Sequence, residues 1–197
     1  MSHLSRRSLS DYVWYVGYGS NMLQERFTCY IKGGQFGLGG KPLKGCKDKS
    51  LPVGSDKILI PYEMYFSGKS RWWKGGGTAL LDATPTHQES EFARGRIWKI
   101  TTEQFQEVWA QEGRGTFDFE LSLGVHSDGC EIVTFTSDRK LGSSRPSADY
   151  IHAIALGLKE TFEMNSEQIV DYLCRLEGVV DLMSREELEA IVRSFGI

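Results

Sequence analysis

Tyr18-Gly19-Ser20-Asn21 is the stretch of this chain whose residue types and spacing point most directly to chemistry. Gly17 and Gly19 permit backbone angles closed to other residues, and Ser20 and Asn21 add short polar side chains. A strand, a glycine turn and a helix start in that order aim several N–H groups at one spot. Such a spot suits a carboxylate, a phosphate or a developing oxyanion, although an ordinary strand-to-helix turn reads the same way. Arg71-Trp72-Trp73-Lys74 offers rings and cations that could stack nucleobases, but such a pair more often splits, one ring into the core and one over a cleft. Gly75-Gly76-Gly77 then lets backbone approach a ligand or a neighbouring strand. Glu112 sits at the end of a helical stretch, where the helix dipole disfavours an anion, so a purpose competes with a plain surface charge.

Other chemical groups fall without pattern. His3, His87, His126 and His152 have no ligand spacing, and Cys29, Cys46, Cys130 and Cys174 include no CxxC pair, which argues against zinc and against a disulfide framework. The run from Gly33 to Gly40 resembles GxGxxG only at a glance. It does not join a strand to a helix, so a surface loop with solvated lysines at 41, 44, 47 and 49 is the simpler reading.

The elements that must position these groups are legible. Residues 12–16 form an apolar, aromatic run too short for a helix, hence a buried strand, and Met22–Ile31 reads as helical. Ile58–Phe66 reads as one strand with Pro61 at an edge or bulge, followed by strands over 78–83 and 92–100. Thr101 or Thr102 caps a short helix from Glu103 to Ala110 that runs into Gln111-Glu112-Gly113. Strands around 117–123 and 131–136 flank a Ser127-Asp128-Gly129 turn. Helices follow over 148–163 and 166–177, with Asn165 or Ser166 as cap, and over 184–195, where Ser184 and Glu187 spell a capping box. Strands first and helices last predict an α+β domain on a mainly antiparallel, barrel-like mixed sheet with flanking and C-terminal helices.

With 197 residues, 40% hydrophobic and 12% aromatic, the chain can bury one real core. We divide it into a polar tail at 1–11, a domain over 12–180 and a C-terminal helix at 181–197. A formal net charge of −3 gives no field that recruits nucleic acid or acidic lipid. No apolar run is long enough to span a bilayer, and the scattered cysteines read as reduced thiols in a cytoplasmic protein.

Set side by side, the YGSN turn, the loop Trp73-Lys74-Gly75-Gly76, the strand Gly95–Ile100, the pair Glu112-Gly113 and the segment Pro146–Tyr150 resemble the γ-glutamylcyclotransferase-like family, in the family's order. The resemblance covers roughly residues 12–177. It implies a barrel-like sheet with a cavity between the turn and the glutamate. It also implies a reaction in which the α-amine of a γ-glutamyl compound attacks its own γ-carbonyl, giving 5-oxoproline and a free amine. By position, Glu112 would be the catalytic acid and base. Tyr18, Gly19, Ser20, Asn21 and Met22, with Trp73 and Gly75, would hold the substrate.

Elementary chemistry is consistent with that assignment. The attacking amine, with a pKa of about 7.7–8.0, must lose a proton, and one carboxylate can accept it and return it to the leaving nitrogen. Partial burial would suit the carboxylate to the task, and the turn's N–H groups would hold a carboxylate or steady the oxyanion. The nucleophile belongs to the substrate, so neither a metal nor another cofactor is expected. The expected partner is a small γ-glutamyl molecule, with no nucleic acid and no membrane, and a homodimer is left open. Phe117 and Phe119 stand where many relatives have a tyrosine, which leaves a substrate-facing hydroxyl in question. Two other readings stay open at this point: a non-catalytic small-carboxylate-binding protein on the same fold, and single-stranded nucleic-acid contact through Arg71, Trp72, Trp73 and Lys74, which the negative net charge opposes.

Overall fold

In chain order the elements are β1 (Tyr12–Gly17), α1 (Gln24–Lys32), β2 (Gly54–Ile60), β3 (Tyr62–Ser67), β4 (Thr78–Pro85), β5 (Ala93–Thr101), α2 (Thr102–Glu112), β6 (Phe119–Val125), β7 (Glu131–Thr136), α3 (Ala148–Phe162), α4 (Ser166–Cys174) and α5 (Arg185–Arg193). This computed structural model describes residues 11–37, 41–194 and 196. The tail expected over 1–10, with His3, and the end of the glycine run at 38–40 lie outside the described residues. Asp11, assigned to that tail, already joins the fold, because its carbonyl accepts from the Thr102 N–H at 3.0 Å.

β1 is the middle strand of a five-stranded sheet in the order β2-β5-β1-β7-β6. It pairs antiparallel with β5 along its whole length and parallel with β7 through Trp14 and Tyr15. The run at 12–16 is apolar without alternation because both faces of the sheet are covered. Val13 and Tyr15 point into a core with Phe27, Tyr30 and Ile31 of α1 and Phe105, Val108 and Trp109 of α2. Trp14 and Val16 point the other way, into a core with Ile151, Ile154 and Leu158 of α3. Each fully buried ring such as Phe27 or Phe105 contributes on the order of 1.5–3 kcal/mol.

The sheet does not close, so the barrel-like expectation is corrected to an open mixed sheet, with β2 and β6 as edges and β3–β4 as a separate two-stranded sheet. Pro61 marks the break between the two sheets. The expected single strand at 58–66 breaks there, and a residue with no N–H and a fixed φ turns the chain from the main sheet into the small one.

Local signals placed most helix starts. The Thr101 side chain accepts from the Gln104 N–H and Asn165 from the Gln168 N–H, each completing a capping box. The Ser184 side chain accepts from the Glu187 N–H. The first helix differs from expectation: Ser20–Met22 form a single 3-10 turn, Leu23 is extended, and α1 begins at Gln24. In α5, Leu188 and Val192 are fully buried in the core that holds Ile169 and Val170 of α4. Among the described residues no helix is long and apolar enough to cross a membrane.

Candidate active site

β1 delivers Tyr18 to Asn21 directly off the sheet, and the tight 3-10 turn keeps their backbone compact. The Met22 N–H bonds back to the Gly19 carbonyl at 3.1 Å, so the N–H groups of Ser20 and Asn21 precede the turn's first internal bond. Gly19 is demanded by close approach, since a Cβ there would lie 2.8 Å from the Tyr150 hydroxyl and 3.2 Å from the Ala79 Cβ. Trp98 Nε1 donates to the Asn21 carbonyl at 2.9 Å, which pins the turn to β5.

Across from the turn, α2 ends at Glu112, and Gly113 stops the helix with φ 101°. Asn21 bridges the two walls. Its Nδ2 donates to Glu112 Oε1 at 2.8 Å and to the Tyr15 hydroxyl at 3.0 Å. Both amide protons are therefore committed, while the buried Asn21 Oδ1 has no partner among the described residues.

The space between the walls is one cleft with two lobes. The inner lobe, about 410 Å³, is lined by the turn together with Tyr15, Thr78, Ala79, Phe135 and Tyr150. The outer lobe, about 630 Å³, is lined by Tyr30, Lys41, Lys69, Ser70, Trp72 and neighbours. Arg26, Trp73, Thr78, Glu112 and Phe117 border both. Glu112 thus stands at the junction, half-buried.

Four buried tyrosines surround that carboxylate. Burial first, and the Glu112 charge next, raise the Tyr15 and Tyr30 hydroxyls well above the ordinary phenol range. Burial pushes Tyr150 up to about 12, with the Glu112 charge contributing. Tyr18 is raised chiefly by burial, with neighbouring Tyr15 second. All four remain protonated donors across the range where a protein works. The Tyr18 hydroxyl is spent on the Phe135 carbonyl at 2.8 Å, so it anchors the turn. The Tyr150 hydroxyl accepts from the Ala79 N–H at 3.1 Å.

Most of the expected site residues meet here: Tyr18, Gly19, Ser20, Asn21, Trp73 and Glu112 all line the cleft. Met22 and Gly75 do not. The Met22 side chain is fully buried and its Cβ packs against Gly157 of α3, because the 3-10 turn rotates it away from the cleft. Gly75 makes a left-handed turn at φ 81°, and the glycines after it serve packing: a Cβ on Gly76 would lie 2.4 Å from the Ser147 N–H nitrogen. The tryptophans split, Trp73 buried against Tyr150 at 4.8 Å between ring centres, Trp72 40% exposed with Arg71 over its ring. Phe117 lines the cleft and Phe119 lies on β6, while Tyr15, Tyr30 and Tyr150 supply hydroxyls there.

Arg26 was not anticipated. It is 3% exposed, one terminal nitrogen donates to the Tyr30 hydroxyl at 3.0 Å, and the guanidinium lies over the Tyr30 and Trp73 rings at 4.9 and 5.5 Å. Its Nε and second terminal nitrogen have no partner among the described residues. The signal was present: Arg26 precedes Phe27 and stands four residues before Tyr30, on the apolar side of α1.

No family model matches the sequence. A stretch of 101 residues is 37% identical to part of histone deacetylase 5 of Arabidopsis thaliana, covering 51% of this chain and only 15% of that protein's length. Solved structures resemble it more fully. A γ-glutamyl cyclotransferase superposes with a TM-score of 0.57 at 20% identity, over 93% of this chain and 99% of the other. An uncharacterised protein from Homo sapiens gives 0.57 at 21% identity over the same shares. YkqA from Bacillus subtilis gives 0.53 at 18%, over 85% of this chain and 56% of that one. The resemblance read from the YGSN and Glu112-Gly113 pieces therefore holds at the level of architecture: the chain has the γ-glutamyl cyclotransferase-like fold.

Proposed function

We propose that this protein cyclises the γ-glutamyl group of a small γ-glutamyl amine or γ-glutamyl amino acid to 5-oxoproline and releases the amine. The observation that carries the reading is the 2.8 Å bond from Asn21 to Glu112, which sets the carboxylate against the glycine turn at the junction of two lobes. The bond that forms joins the substrate's α-nitrogen to its γ-carbon, and the bond that breaks joins that carbon to the leaving nitrogen. No oxidation state changes and no water is consumed. The attacking ammonium loses two protons in becoming the ring N–H, and the leaving nitrogen gains two in departing as an ammonium.

A carboxylate at the boundary reaches both nitrogens, since the glutamyl part fills the buried inner lobe and the leaving part the outer one. Glu112 takes a proton as base and returns it as acid, a role worth on the order of 10²–10⁴ in rate. The N–H groups of Ser20 and Asn21 and the neutral Tyr150 hydroxyl face the glutamyl carboxylate or the tetrahedral oxyanion. Each preorganised donor of that kind contributes about 2.7–4 kcal/mol in known systems. Folding an extended substrate into near-attack geometry within the cleft supplies the remainder.

Incubation with a panel of γ-glutamyl compounds tests the proposal by release of 5-oxoproline. If glutamate or 5-oxoproline raises the melting temperature but no panel member is consumed, a carboxylate-binding role replaces the enzymatic one.

A further inference from the structure

We infer that Arg26 is a positioning residue: through the Tyr30 hydroxyl it holds the Glu112 carboxylate ionised and aimed for its proton transfer. The inference rests on the cyclotransferase reading of the site and adds a residue that acts through a second side chain. Arg26 and Tyr30 stand four apart on α1 and therefore share one face. One Arg26 terminal nitrogen donates to the Tyr30 hydroxyl at 3.0 Å. A guanidinium only donates, so the tyrosine keeps its own proton for another acceptor. Tyr30 and Glu112 line the same outer lobe, and Glu112 is the carboxylate among its lining residues. Burial first, and the Glu112 charge next, raise the Tyr30 hydroxyl; the Arg26 charge opposes them, and a hydrogen bond to the Glu112 carboxylate adds to the rise. The carboxylate is thus met by two donors, Asn21 at 2.8 Å and Tyr30.

Packing alone explains Arg26 poorly. Among the described residues it has no ion-pair partner, and of its three guanidinium nitrogens only the one on Tyr30 is met. An apolar side chain of similar length would fill so buried a place at lower cost. What it could not supply is a fixed positive charge, and the Tyr30 and Trp73 rings hold that charge at 4.9 and 5.5 Å. A cation that donates to a hydroxyl polarises it, and a polarised O–H is the stronger donor to an anion in a buried site. The other groups around Glu112 do not act this way. Tyr15, Tyr18 and Tyr150 are neutral, and the Tyr18 hydroxyl is spent on the Phe135 carbonyl. Lys41, part-exposed, and Lys69, exposed, border the outer lobe, where water and salt screen them. Among the lining residues Arg26 is the buried cation.

Tyr30→Phe and Arg26→Met, alone and together, test the relay. Each single variant should lower kcat for 5-oxoproline release roughly ten- to a hundredfold, the range of a hydrogen bond to a charged group, with KM changed less than about threefold. The two together should lose no more than the worse single, because both cut one path. Carbon-13 NMR titration of the Glu112 carboxyl, assigned by the signal missing from Glu112→Gln, reads the same hold without turnover. Its midpoint should move up by roughly one to two pH units in each variant. Should Arg26→Met fail to fold, Tyr30→Phe, which keeps the ring, decides alone. A Tyr30→Phe protein with kcat and midpoint unchanged, a loss confined to KM, or additive losses in the double variant overturn the inference. Turnover by the unmodified protein separates the two readings. Release of 5-oxoproline with neither variant altered keeps the cyclotransferase and removes the relay, whereas a moved midpoint with no panel compound consumed keeps the relay and removes the reaction.

Discussion

Exchanging Asn21 for Asp replaces one amide nitrogen with oxygen and leaves the shape of the turn intact. It removes the donor that meets Glu112 at 2.8 Å and sets two carboxylates at that separation in a site where Asn21 is 6% exposed. Coulomb's law with an effective dielectric of about 20 gives a repulsion of about 6 kcal/mol there. The folded variant escapes by keeping one proton on the pair, which raises one folded-state pKa above the unfolded carboxylate value of about 4. The unfolded chain then releases that proton first. Stability is intact below the unfolded pKa and falls as pH rises toward the folded one. The expected loss is about 2–5 kcal/mol at pH 8 and under about 1 kcal/mol at pH 4, with each kcal/mol lowering the melting temperature by roughly 2–4 °C in a chain of this size. Thermal melts of both proteins from pH 4 to 8 measure it. Adding Glu112→Gln restores an amide–carboxylate bond with donor and acceptor exchanged, and should recover most of the loss. A single variant as stable as the parent at pH 8, or a double variant no better than the single, would refute the placement of these two side chains.

Arg26→Met keeps the apolar stem and removes an incompletely paired buried charge, so the melting temperature should hold within a few degrees or rise, while kcat for a γ-glutamyl compound falls by about tenfold or more. Gly19→Ala puts a methyl 2.8 Å from the Tyr150 hydroxyl, and denaturant unfolding should report a loss of about 1–3 kcal/mol together with reduced turnover. Away from the site, the Asp128 carboxyl is held well below the usual range by Lys99 first and the Cys130 N–H next. Its stabilisation is full above the ordinary carboxylate pKa and lost as pH falls through the folded one. Acid unfolding of Asp128→Asn should therefore begin lower in stability and change less with pH below about 4.

Much of this site was legible because its parts are local. The strand at 12–16, the glycine turn after it and the caps at Thr101, Asn165 and Ser184 each follow from a few adjacent residues. Glu112 stood out because a helix C-terminus is a poor place for an anion without a partner, and the partner is Asn21. What could not be read depended on distant packing. The turn at 20–22 directs Met22 under α3, and nothing in the local sequence distinguishes that from a cleft-facing residue. The glycines at 76 and 77 answer to Ser144 and Ser147, about seventy positions away. Pro61 signalled an edge or a bulge, but whether the chain then closes a barrel or starts a second sheet depends on pairings made elsewhere. Arg26 lay in the open, a charge on the apolar side of a helix, and its meaning emerges only when Tyr30 and Trp73 enclose it.

The central claim is that the carboxylate of Glu112 carries a proton between two nitrogens of one bound molecule. Release of 5-oxoproline from a γ-glutamyl amino acid, compared between the unmodified protein and Glu112→Gln after matching their melting curves, tests it most directly. The account predicts release by the first and a fall of about 10²–10⁴ in the second. A folded Glu112→Gln protein that releases 5-oxoproline as fast as the parent would contradict it.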